Sequence, residues 1–108
     1  METIVQAKRV LEIFKEMSQI PRESGNEKSI SDYIVNFAKN LGLEVHQDEI
    51  FNVVIKKAAS PGYENRPSII LQGHIDMVCV KGHDSNHDFS KDPIANIIEG
   101  EWMHADHT

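Results

Sequence analysis

Apolar and polar positions along this chain change period twice. Across residues 4–18, Val10, Leu11, Phe14 and Met17 fall on one helical face. Pro21 stops that pattern and leaves residues 20–25 as a connecting loop. A second helical pattern runs through Ile30, Ile34, Phe37 and Leu41. Ser24 and Glu27 stand before it in the S-x-x-E spacing of a capping box, and Gly42 closes it as a C′ residue able to take positive φ. The period then drops to two. Leu43, Val45 and Gln47 begin one strand, and Val53, Val54 and Ile55 make a second. Residues 60–67 hold turn-forming Pro, Gly and Asn. Ile69, Ile70 and Leu71 form an unbroken apolar centre within 68–72, which predicts a strand covered on both faces. Residues 82–93 are loop-like, and 94–98 with 101–103 flank Glu99-Gly100 as a hairpin.

Helices ahead of a mixed set of strands predict an α/β layer fold, two helices packed on a mixed β-sheet. Neither a repeat nor an interior linker interrupts the 108 residues, which suit one small domain. Eleven basic residues against seventeen acidic ones give a net charge of −6. That balance argues against nucleic acid and against anionic membranes as main partners, and otherwise promotes solubility. A single cysteine, Cys79, rules out an intramolecular disulfide and suits a reducing compartment. No apolar run approaches the roughly 20 residues of a membrane span. The opening METIVQAKRVLEIFKEM lacks a signal peptide's apolar region, so a cytoplasmic location is expected.

Candidate chemistry begins at His74 and Asp76, just past the most apolar strand pattern. Ligands in α/β sheets gather beyond the carboxyl ends of strands, and residues two apart on a strand project to the same side. A metal-binding histidine often donates its second ring N–H to a carboxylate. Spacing alone nevertheless favours a polar strand end over a ligand pair. His83 and His87 are four apart, but the intervening Asp84, Ser85 and Asn86 favour a solvated loop over a helix carrying two ligands. The ligand-rich end, His104-Ala105-Asp106-His107-Thr108, is expected to fray. Cys79 reads as a buried inert thiol, Trp102 as hairpin packing, and His46 with Lys56 and Lys57 as solvent-facing strand positions.

An ordered series of segments adds to this. It comprises Ile20-Pro21-Arg22 with Ser24-Gly25-Asn26-Glu27, Asp32-Tyr33-Ile34-Val35, residues 48–55 leading into Ile55-Lys56-Lys57, and Glu64-Asn65-Arg66. It continues through Gly73-His74-Ile75-Asp76-Met77-Val78, His87-Asp88-Phe89, Lys91-Asp92-Pro93-Ile94 and Gly100-Glu101-Trp102. In this order and spacing the chain resembles the N-terminal part of the M20-type zinc metallopeptidases, and within them the aminoacyl-histidine (Xaa-His) dipeptidases. The segments around His87 and Trp102 favour that branch over tripeptidases or deacylases of the same type.

The resemblance implies a partial metallopeptidase catalytic domain over residues 1–108. It implies hydrolysis of Xaa-His dipeptides such as β-alanyl-histidine by metal-activated water, with two zinc ions or with manganese or cobalt in their place. His74 would ligate one metal, and Asp76 would be the catalytic supporting acid that holds the geometry. The other ligands and the general-base glutamate lie downstream in family members, beyond Thr108, and Asp106 does not take the place of the bridging aspartate. The resemblance therefore implies an N-terminal segment that is inactive by itself, from a parent for which a homodimer is compatible. The competing expectation is a non-catalytic α/β binding module that keeps the scaffold without a complete metal site.

Overall fold

A computed structural model describes residues 2–108, with side chains from residue 7 onward; the start of the stretch read for a leader lies outside the described side chains. Its elements are α1 (Glu2–Ser18), α2 (Lys28–Asn40), β1 (Glu44–Gln47), β2 (Val53–Lys56), β3 (Asn96–Glu99) and β4 (Trp102–Ala105). The chain divides into two units, Met1–Ile30 with Asp76–Thr108, and Ser31–Ile75.

In the first unit, α1 ends through side-chain and tight-turn hydrogen bonds to its last carbonyls. Ser18 Oγ donates to the Phe14 carbonyl at 2.8 Å, and the Ile20 amide donates to the Met17 carbonyl at 3.1 Å. Arg22 Nη1 donates to that same Met17 carbonyl at 2.6 Å, setting a cation at the negative end of the helix dipole. Arg22 is buried, and desolvation lowers its pKa from the ordinary arginine value. The apolar stripe of α1 differs from the prediction. Val10, Leu11 and Phe14 remain 64%, 43% and 42% exposed, because the described residues of this unit do not cover them.

β3 and β4 pair antiparallel, Asn96 opposite Ala105 and Glu99 opposite Trp102. Gly100 opens the two-residue loop at φ 61°, a conformation glycine adopts without a Cβ clash. The Ile94 amide donates to the Ser18 carbonyl at 2.8 Å, tying the approach to this hairpin to the end of α1. Trp102 is 79% exposed, so it is not the hairpin packing residue expected. The chain end is also better held than predicted. His104 lies within β4, and the His107 carbonyl accepts the Gly82 amide at 2.8 Å.

The second unit is built on α2 from Ser31 onward and on the antiparallel β1–β2 hairpin, with Glu44 opposite Lys56 and Gln47 opposite Val53. Gly42 sits at φ 71°; its amide donates to the Lys39 carbonyl and the Leu43 amide to the Ala38 carbonyl. That pair of bonds is a Schellman motif, as the C′ glycine predicts. Ser31 is fully buried and satisfied, donating to the Phe51 carbonyl at 2.8 Å and accepting from Gln47 Nε2 at 2.7 Å. Between the strands, Asp48 accepts from the Ile50 and Asn52 amides, and its bond from the Asn52 side chain leads the causes that lower its pKa.

Two corrections concern the sheet. The strands form two separate two-stranded antiparallel pairs in place of one mixed sheet. Residues 67–76 lie in no strand, and Ile69, Ile70 and Leu71 are 83%, 90% and 91% exposed, so the predicted doubly covered strand is absent. A strand exists only where a neighbour takes its backbone hydrogen bonds, and the described residues supply none for this run.

Candidate functional site

The division between the two units falls inside the His-x-Asp motif. His74 belongs to Ser31–Ile75, exposed and outside regular secondary structure. Asp76 opens the second stretch of the other unit and is half-buried.

Around Asp76 the unit has a defined geometry. Ser24 Oγ donates to Asp76 Oδ2 at 2.5 Å, across 52 positions of sequence. One residue further on, the Met77 amide donates to the Arg22 carbonyl at 2.8 Å, and Glu23 and Met77 form a parallel bridge. The segment carrying Arg22, Glu23 and Ser24 thus holds Asp76–Met77 by backbone and side chain together. This replaces the predicted capping box. Because α2 begins only at Lys28, Ser24 stands too early to cap it, and Glu27 Oε1 instead accepts the Gly25 amide at 2.6 Å. Gly25 turns the loop at φ 91°. Ser24 and Asp76 each stand in a sequence motif, but no local pattern links the two.

Cys79 lies beside the same segment and is exposed, contrary to the buried thiol expected. Partial desolvation and then the negative charge of Glu23 raise its pKa, with Asp76 adding to the shift. These influences disfavour the thiolate form.

The remaining histidines are dispersed. His83 is exposed, and residues 82–93 form turns in place of a helix, as the propensities predict. His87 packs edge-on against Phe89 with ring centroids 4.6 Å apart. Its buried Nε2 has no hydrogen-bond partner, and the residue borders a cavity of about 10 Å³, space for about one water. His46 Nε2 lies 2.8 Å from Glu44 Oε1 on the exposed β1 strand, as its solvent-facing placement predicts. On β4, His104 Nε2 lies 3.6 Å from Glu99 Oε2. Among the described residues, no group of three or more His, Cys, Asp or Glu side chains could hold a metal ion. A catalytic zinc centre takes three protein ligands plus water, so these residues alone do not fit one.

No protein-family model matches the chain. It is 45% identical over 94 residues to the cytosol non-specific dipeptidase of Escherichia coli, a match covering 87% of this chain and 19% of that protein. A probable carboxypeptidase of Emericella nidulans is 28% identical over 83 residues, covering 71% of this chain and 19% of its own length. The crystal structure of aminoacylhistidine dipeptidase from Vibrio alginolyticus superposes with a TM-score of 0.85 at 44% identity, covering 90% of this chain and 20% of that one. The chain therefore spans about a fifth of the length of these relatives. It is homologous to a part of the M20-type dipeptidases represented by cytosol non-specific dipeptidase and aminoacylhistidine dipeptidase.

Proposed function

We propose that this chain is the His74- and Asp76-bearing segment of a cytosolic, metal-dependent dipeptidase whose substrates include Xaa-His dipeptides. Its agreement in sequence and fold with the Vibrio enzyme along nearly its whole length carries the reading. In this reading His74 supplies one imidazole ligand to a zinc-type centre, and Asp76 holds the geometry around it. The other ligands and the general base come from polypeptide outside these 108 residues, within the same catalytic domain. The name of the Escherichia coli relative supports the cytosolic placement, and no helix among the described residues is long and apolar enough to cross a membrane. That name also describes broad dipeptide hydrolysis, so Xaa-His peptides are proposed as included substrates and not as the sole ones.

The test is a hybrid enzyme in which these residues replace the matching segment of the Escherichia coli dipeptidase. The hybrid is expected to hydrolyse β-alanyl-histidine and other dipeptides, and the isolated chain to hydrolyse neither. His74→Ala in the hybrid is expected to lower bound metal and turnover together. A folded hybrid without activity would favour the non-catalytic module, and full metal content after His74→Ala would remove the ligand role.

A further inference from the structure

We infer that Ser24 is a positioning residue for Asp76, an assignment that rests on the dipeptidase reading above. Four observations converge on it. The Ser24 hydroxyl donates to Asp76 Oδ2 at 2.5 Å, across 52 positions of sequence. The residue after Asp76 is tied independently, through the Met77 amide on the Arg22 carbonyl and the bridge between Glu23 and Met77. Arg22 is itself buried and anchored on the carbonyl end of α1, so the clamp is rooted in the helix. Finally, Ser24 is released from helix capping, because α2 starts at Lys28 and Glu27 bonds the Gly25 amide.

A carboxylate on a freely rotating side chain samples several orientations. One donor on Oδ2 restricts the rotamers open to the side chain and so fixes the direction in which the carboxylate faces. The hydroxyl suits this role chemically, since it supplies a donor without adding a charge. Ser24 is exposed, so a threonine methyl has room there while the hydroxyl is retained.

The hybrid dipeptidase provides the test, with β-alanyl-histidine as substrate. Ser24→Ala is expected to lower kcat about tenfold or more, the loss expected for one hydrogen bond to a charged group. KM is expected to stay within about twofold of the unsubstituted hybrid and bound metal to stay unchanged, since Ser24 touches neither substrate nor ligand in this reading. Ser24→Thr is expected to restore kcat. Hydrogen exchange at the Met77 amide reports whether the backbone part of the clamp survives, and protection is expected in both variants. An active hybrid indifferent to Ser24→Ala would overturn the positioning role alone. Equal losses in the Ala and Thr variants, with Met77 deprotected, would overturn it too, by showing that the site serves only folding. An inactive unsubstituted hybrid would instead sink the dipeptidase reading, and the role with it.

Discussion

Asp88 organises its loop without help from burial. Its Oδ1 accepts the Ser90 amide at 3.0 Å and the Ser90 hydroxyl at 2.6 Å, while Lys91 Nζ lies 3.3 Å from Oδ2. These bonds, the Ser90 hydroxyl first, hold its carboxyl at about 2. An ordinary aspartate titrates at about 3.9, so the folded loop favours the ionised form. The sign follows from linkage. The contribution is fully present above about pH 4 and is lost as pH falls through about 2. Titration of the Asp88 carboxyl carbon by NMR should show a midpoint near 2, with loss of order at the Ser90 amide over the same range. A midpoint near 4 would mean that these bonds do not persist in solution. The Asp88–Ser90 turn could be anticipated from composition, because Asp and Ser hydrogen-bond nearby amides. The bond from Ser24 to Asp76 could not, since nothing in local spacing links residues 52 positions apart.

The end of α2 and the run at 68–72 are opposite cases among the secondary-structure elements. Helix termination at Gly42 depends on a few adjacent residues, and the Schellman bonds appear where the glycine places them. Gly42→Ala in the hybrid enzyme is expected to destabilise the protein by about 1 kcal/mol, the cost of a Cβ in the left-handed region. Nothing lies within 4 Å of the added carbon, so steric clash adds little, and the shift in denaturant midpoint reads the backbone term directly. A shift several times larger would point to packing not visible around Gly42. Hairpin β3–β4 was legible to within one residue: Glu99-Gly100 marked the turn, but Glu99 pairs with Trp102 and the two-residue loop is Gly100-Glu101. The predicted α2 cap failed for a different reason. The S-x-x-E spacing was present, but it lay a turn before the helix, and the serine found a partner outside the local chain.

Taken as a whole, the chain leaves much apolar surface in water. Only Ile30 and Ala38 are buried apolar side chains among the described residues, while Ile69, Ile70 and Leu71 are almost fully exposed. Such a run carries no charge to discourage pairing, unlike the Lys56-bearing edge of β2. In the isolated chain, amides 69–72 are expected to exchange with solvent as fast as a loop. In the hybrid enzyme, where the remaining four-fifths or so of the relative is present, the same amides are expected to be protected. Equal exchange rates in the two proteins would show that this run is a loop in both, and that the apolar pattern does not mark a strand.

By itself, the sequence determined those features that depend on neighbouring residues: the helical periods, the glycine that ends α2, the hairpin near the C-terminus and the turn-rich loop at 82–93. Its ordered motifs also identified the relatives and singled out His74 and Asp76. The tertiary structure alone decided which side chains meet across the chain, placing the Ser24 hydroxyl on Asp76 and the Arg22 guanidinium on the end of α1. It also decided which apolar runs become strands. Helical hydrogen bonds close within four residues, whereas a strand needs a partner that the local pattern does not name. Residues 68–72 have the composition of a strand and, among the described residues, no neighbour to make them one.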